Sequence, residues 1–407
     1  MLRVKTRALA LGSLCALMLA FVACVARVEA SRRPKYGGTL RVEIGARVAS
    51  LDPAVAPATP EEAAAKDEIE SLLYDHRNAD GTFGGGTSAA GGAGAGSGAF
   101  RIEEWEPGRH LTLVANEDSS GGRPFVDSVD IEMGRGPKDR LLDLELGKTD
   151  FIEIPPEQAR YAAEQGIRVS TSQPDELVAV VFLAGRPAAE DARLREALAQ
   201  AIDRTAMVNF ILQKEGEPAG GLLPQWSSGT AFLFSAAAAP AAAKEIAGQI
   251  GGSSRIVLGY DASDSLEESL AERIAVDARE AGIHVSPETL VGGRVPANCD
   301  ARLVRLRMPS PRPRAALAGF LATLAPEIDV TVADAPATAG ETEKLAEGAS
   351  AERIYEVERG IVNSYRVVPL VWLPEAYGLG ARVHDWKAPA AGEGWPLADV
   401  WLEQESQ

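Results

Sequence analysis

The sequence reads as an α/β protein of two lobes, each a mixed sheet flanked by helices, joined by a hinge. Three observations predict this. Strand-like and helix-like runs alternate from Gly37 to Ile211 and again from Ala241 to Leu373, the pattern of sheets layered with helices. A Gly- and Pro-rich stretch from Gly216 to Gly229 parts the two series and reads as a crossing between lobes. A chain of 407 residues also exceeds what one compact core usually holds.

Composition bounds the function. Hydrophobic residues make up 46% and charged residues 24% of the chain, which suits a folded, soluble body rather than disorder. A formal net charge of −17 argues against a nucleic-acid partner, because displacing phosphate counterions needs clustered Lys and Arg.

The amino terminus predicts export. Arg3, Lys5 and Arg7 precede an apolar run from Ala8 to Ala26, the charged and hydrophobic regions of a signal over residues 1–30. Two processing routes fit. Val28-Glu29-Ala30 suits cleavage before Ser31, whereas Phe21-Val22-Ala23-Cys24 resembles a bacterial lipobox and would make Cys24 the lipidated first residue. An uncleaved anchor is a third reading, for which the apolar run is marginal in length. Each places the protein outside the cytoplasm, periplasmic or at the cell surface. Cys15 lies in the signal and Cys299 has no partner, so no disulfide framework is implied.

The elements follow in order. Leu40, Val42 and Ile44 alternate with polar residues as a strand, and Leu51-Asp52-Pro53 turns the chain. Pro60 to Tyr74 reads as a helix with Pro and acidic residues in its first turn. Gly84 to Ala99 is nearly all Gly, Ala and Ser and reads as a linker, so 59–99 is a reduced small domain plus linker. Strands are expected at Leu111–Val114, Val129–Met133 and Asp150–Ile152, with a short helix from Asp139 to Leu146 closed by Gly147. Val178–Leu183 is another strand, and Asp191 caps a helix that buries Leu194, Leu198, Ala201 and Ile202. A further helix starts at Asp203 or Arg204. In the second series, strands are expected at Ile256–Leu258, Ile283–Val285, Arg302–Val304 and Ile328–Val330. Helices span Ala241–Ile250, Leu266–Ala281 and Ala351–Asn363, and Val367–Leu373 is an apolar returning run.

Several of these stretches, taken in order, resemble the family 5 extracellular solute-binding proteins, the peptide- and nickel-binding subunits of ABC importers. Tyr36-Gly37-Gly38-Thr39-Leu40 with Leu51-Asp52-Pro53 resembles the family's opening strand and turn. Phe100-Arg101-Ile102-Glu103-Glu104-Trp105-Glu106-Pro107-Gly108, then Asn116 and Gly121-Gly122-Arg123-Pro124-Phe125, is similar to its most recognisable middle segment. Leu146-Gly147-Lys148-Thr149-Asp150, Arg193 to Arg204 and Val368-Pro369-Leu370 continue the series. The resemblance implies a type II periplasmic-binding-protein-like fold with hinged lobes. Lobe 1 would comprise 31–58, 100–215 and 365–407, and lobe 2 would comprise 216–364. It further implies a monomeric, non-enzymatic protein that captures a peptide-like solute in the interlobe cleft and delivers it to an ABC permease, without a cofactor.

The sequence departs from the family in two places. The additional small domain usual before the Phe-Arg-Ile segment is mostly missing. Where members often carry a Trp and an Asp that grips a peptide amino group, the stretch Val304 to Ser310 offers Arg305 and Arg307 instead. A guanidinium cannot accept from an ammonium but pairs with carboxylate or phosphate, so both arginines are candidate ligand-binding residues for an anionic group. Trp226, in the expected crossing, is a third candidate that either covers the ligand or packs on the hinge. Trp372, Trp386, Trp395 and Trp401 are expected to anchor the carboxyl-terminal segment to lobe 1.

Other chemistries find little support. Leu146-Gly147-Lys148-Thr149 lacks the first glycine of a phosphate loop, since Leu142 stands there. His76, His110, His284 and His384 show no metal-ligand spacing, and no nucleophile elbow is present. The alternative to transport is a family member whose altered cleft serves an envelope interaction or sensor role.

Overall fold

The computed structural model describes residues 34–52, 55–74, 97–230, 233–250, 255–290, 294–328 and 350–403. The signal, Cys24 and most of the Gly-rich stretch lie outside them.

Two large mixed sheets carry the fold. The first uses β1 (Thr39–Glu43), β2 (Phe100–Glu106), β3 (His110–Ala115), β4 (Ser128–Glu132), β5 (Phe151–Ile154) and β6 (Arg168–Thr171), completed late in the chain by β13 (Ala376–Leu379). Their spatial order is β2-β3-β4-β1-β5-β13-β6. β1 runs parallel to both β4 and β5, while β13 inserts antiparallel between β5 and β6. The alternation read in β1 sends Leu40 and Val42 into a core with Leu111, Leu113, Val129 and Ile131. Helix α1 (Pro60–Leu73) adds Ile69, Leu72 and Leu73 to that core. Its start is fixed by Thr59, whose hydroxyl accepts from Glu62 N–H, and Glu62 in turn accepts from the amides of Ala49 and Ala58 at 2.8 and 2.7 Å. Helices α2 (Pro137–Glu145) and α3 (Pro156–Glu164) cover the β5 end, each opening with Pro where a free N–H would be unpaired anyway.

The second sheet takes β7 (Glu176–Phe182), β8 (Glu217–Pro218), β9 (Arg255–Asp261), β10 (His284–Leu290), β11 (Ala301–Arg307) and β12 (Val367–Leu373), in the order β10-β9-β11-β7-β12-β8. β7 and β12 are central and buried along nearly their whole length, which is why both read as continuous apolar runs rather than alternating ones. One face is covered by α4 (Ala192–Ala201), α5 (Pro240–Gly248) and α6 (Ser265–Glu280), the other by α7 (Pro313–Leu324) and α8 (Ala351–Asn363). Asp191 caps α4 as expected, accepting from Arg193 N–H at 3.0 Å. Arg204 is buried among carbonyls, donating to Pro369 at 2.7 Å and Ala199 at 3.1 Å.

The sheets divide the chain differently from the sequence-based boundaries. β7, α4 and β12, expected in lobe 1, belong to the second sheet, so the chain crosses at 172–175 and 374–375. The crossing expected over Gly216 to Gly229 lies inside the second body, where β8 pairs with β12. The physical reason is close packing. At Gly216, φ is +104° and a Cβ would sit 2.5 Å from the Trp372 carbonyl oxygen, so glycine serves backbone contact and not a linker. Trp372 also goes with β12, packing against Phe320 of the second sheet's core with ring centroids 6.2 Å apart. Trp386 and Trp395 do anchor the carboxyl-terminal segment to the first body, each within 5.3 Å of the Phe151 ring centroid. Of the strand expected at Ile328–Val330, Asp329 and Val330 lie outside the described residues, and α3, β6, α7 and β13 were not legible in the sequence pattern.

Gly216→Ala is expected to destabilise the protein by about 2 kcal/mol or more, since it adds both a steric clash and an unfavourable φ. Denaturant unfolding checks this, and an unchanged midpoint would contradict the packing argument.

Candidate functional site

The two crossings that join the sheets run side by side. Ser172 N–H donates to the Glu375 carbonyl at 3.0 Å, Glu375 N–H to Ser172 Oγ at 2.9 Å, and Asp175 N–H to the Leu373 carbonyl at 3.0 Å. These bonds make a two-stranded hinge, the kind of short link that absorbs backbone rotation when domains move.

Both sheets aim strand carboxyl ends at this region. β1 ends at Glu43 and β5 at Ile154, next to Glu153, while β11 ends at Arg307 and β9 leads to Asp264. In open α/β sheets the carboxyl ends of strands are where ligand sites form.

The structure brings Arg305 and Arg307 here, on one face of β11, and gives each two carboxylate partners. Arg305 donates to Asp264 at 2.8 Å and to Glu176. Asp264 is doubly used, since its other oxygen caps α6 by accepting from Leu266 N–H at 2.8 Å. Arg307 reaches across the hinge, 2.7 Å from Glu375 and 3.2 Å from Glu68 on α1. Its side chain is 36% exposed and that of Arg305 is 20% exposed, so Arg307 is the more accessible of the two.

Trp226 also lies at the hinge. It occupies a one-turn helix, Gln225–Ser228, and its indole N–H donates to the Pro174 carbonyl at 2.8 Å. The residue is 37% exposed. Cys24 lies outside the described residues.

The surrounding groups are mostly acidic. Glu68, Glu153, Glu157, Asp175, Glu176, Asp264 and Glu375 face Arg140, Arg305 and Arg307, seven carboxyl groups against three guanidiniums. Burial, followed by the neighbouring Glu375 carboxylate, pushes Asp175 up to about 8. Burial likewise raises Glu68 and Glu153, each against the opposing pull of an arginine. Asp175 is 3% exposed and its Oδ1 has no hydrogen-bond partner, an expensive arrangement for a buried polar atom. Glu375 accepts from the Tyr377 hydroxyl, and burial is the main reason that phenol holds its proton well above the usual range.

Sequence reasoning missed Asp175, Glu375 and Glu68. The first two flank apolar strands at Asp175-Glu176 and Pro374-Glu375, a placement that marks strand ends, but their meeting depends on the antiparallel crossings. The discounted phosphate-loop resemblance is a helix end: Gly147 has φ +67° and Lys148 pairs with Asp143 at 3.0 Å. Among the described residues no group of His, Cys, Asp and Glu is arranged to hold a metal ion, and no helix is long and apolar enough to cross a membrane.

Comparison with known proteins agrees with this architecture. The family model described as bacterial extracellular solute-binding proteins, family 5 Middle, matches residues 47–323. Oligopeptide-binding protein AppA of Bacillus subtilis is 28% identical over 125 residues, covering 30% of this chain and 23% of its own. The chain spans 23% to 40% of the length of the curated relatives it matches. Among solved structures, the periplasmic binding protein DppA of Helicobacter pylori, in complex with the peptide STSA, superposes with TM-score 0.65 at 14% identity, covering 91% of this chain and 99% of that one. NikA of Brucella suis, in complex with Fe(III)-EDTA, gives TM-score 0.65 at 18% identity over 76% of this chain and 68% of that one. These neighbours have the type II periplasmic-binding-protein fold, and the two hinged mixed sheets share it. The chain belongs to the family 5 bacterial extracellular solute-binding proteins, which are binding proteins rather than enzymes.

Proposed function

We propose that this protein captures a small peptide or similar solute outside the cytoplasm, between the two sheets at the hinge, and presents it to an ABC permease. The observation that carries the reading is the excess of carboxyl groups where the carboxyl ends of both sheets' strands converge, with one oxygen of buried Asp175 unpaired. Such a zone favours a solute bearing an ammonium or guanidinium, which would supply the missing donor and relieve like-charge repulsion.

In this reading Arg305 fixes Glu176 and Asp264 in place. Arg307, the more exposed arginine, meets the solute's carboxylate by exchanging Glu68 for it, a swap between two equivalent partners. Trp226 covers the hinge side of the solute while its N–H stays on Pro174. Closure is then a population shift, favoured only by contacts made to both bodies at once. Export through the amino-terminal signal, with Cys24 lipidated or the chain released before Ser31, and action as a monomer complete the proposal.

Calorimetry with free-amino dipeptides against their N-acetylated counterparts tests the reading. Binding of the free-amino form, and at least tenfold weaker binding of the acetylated form, is expected. A folded preparation that binds neither would overturn it.

Asp175→Asn is expected to weaken the free-amino dipeptide about tenfold or more, because a charge-assisted bond is lost. Equal affinities would remove Asp175 from the site.

The pH dependence has a definite sign. A carboxyl whose folded pKa is raised contributes stability that is full below its unfolded value and is lost as pH rises through the folded value. Asp175, raised from 3.8 to about 8, should therefore make the ligand-free protein less stable as pH climbs from 5 to 8. A cationic solute favours the ionised form, so its affinity should increase over pH 6 to 7.5. Thermal unfolding and calorimetry across this range check both trends, and Asp175→Asn should flatten them.

A further inference from the structure

Adjoining the acidic zone at Glu157, and opening on the far side of it, a half-open groove of about 500 Å³ lies between α2 and α3. Leu141, Leu142, Ala162 and Ile167 supply its apolar lining. Around it stand neutral hydrogen-bonding groups: Gln158 and Gln165 on or just beyond α3, the Tyr161 hydroxyl, and Gln213 from the second body. Among the described residues none of these four side chains makes a hydrogen bond. Leu142 and Tyr161 remain 51% and 52% exposed, an unusual outlay of apolar surface on a soluble face.

Gln213 is held there by strained backbone. A one-turn π segment, Met207–Ile211, is followed past Leu212 by Gln213 and Lys214, both left-handed at φ 52° and 76°, with Lys214 N–H bonded to the Val208 carbonyl at 2.8 Å. Two successive non-glycine residues in that region are costly, and the core residues Met207, Val208 and Leu212 fix the turn in place. The strain delivers a carboxamide from the second body to a groove built otherwise by the first.

We propose that this groove is a second ligand site, for a small uncharged molecule with peptide-like amides and an apolar side chain. Carboxamides both donate and accept, as a peptide backbone requires, while the leucines and Ile167 suit an aliphatic side chain. The charged lining groups are few, Lys138 against Glu145 and Glu157, and burial holds Glu157 toward its neutral form, so little net charge is selected. The volume fits a free small ligand of a few residues and is small for a folded partner. Occupancy favours the arrangement of the two bodies that brings Gln213 over α3, which links this site to the hinge.

The probe is N-acetyl-leucyl-leucinamide, which has neither charged terminus and so cannot satisfy the acidic zone. Titrated into the full chain and followed by calorimetry, it should bind with Kd on the order of 0.1–1 mM. Gln213→Gly, which suits the left-handed backbone and so preserves the fold, and Tyr161→Ala should each weaken it about fivefold. Asp175→Asn should change it less than about twofold, while weakening the free-amino dipeptide. Absence of binding up to about 10 mM overturns the proposal. So does binding that either groove variant leaves intact, or binding that Asp175→Asn abolishes, which would place the probe at the hinge.

Discussion

The hinge depends on one arrangement, Arg307 held between Glu375 on the returning crossing and Glu68 on α1. The guanidinium belongs to the second sheet, Glu68 to a helix of the first, and Glu375 to the link between them. Removing such charges from water costs energy that only good geometry returns, so the arrangement is better understood as fixing how the bodies meet than as a large net stabiliser. Glu68 is itself positioned from the other side, accepting from Trp395 N–H at 2.9 Å. The carboxyl-terminal segment that supplies Trp395 also presses on the second body, where a Cβ at Gly392 would lie 2.3 Å from the Pro309 carbonyl oxygen. Ion bridge and backbone packing thus define the same contact.

Around that contact the electrostatics are unbalanced in one direction. Arg305 and Arg307 are each engaged by two carboxylates, yet further acids lie close by, and burial holds several of them toward their protonated forms. In the proposed reading this imbalance is what favours incoming positive charge. An arginine pair read alone points to an anionic partner. The same pair among its neighbours is part of an acidic zone, and the proposed reading takes the summed potential of that desolvated region, rather than the charge of one side chain, as the selecting quantity.

The division of the chain carries a related lesson. Gly216 to Gly229 reads as a link because Gly and Pro punctuate connections, but the same residues also permit close backbone approach, and β8 uses them so against β12. The links between the two sheets, 172–175 and 374–375, are short, and each contains a proline beside an acid, Pro174-Asp175 and Pro374-Glu375, with no glycine to announce it. Short β strands and helices such as β6, β13 and α3 escaped notice for the same reason: four to nine residues give little periodicity.

The sequence by itself determined what local pattern can encode. The alternation of β1, the capped helices α1 and α4, the buried runs of β7 and β12, the two-series α/β organisation and the ordered motifs of the family all follow from nearest-neighbour chemistry and spacing. Only the tertiary structure decided which sheet each strand joined, and therefore that Glu68, Asp175, Arg307 and Glu375, separated by up to 307 positions in the chain, lie in one charged cluster. Strand order is set by which apolar faces bury best together across the whole molecule. That is a global optimum, to which no short window of residues gives access.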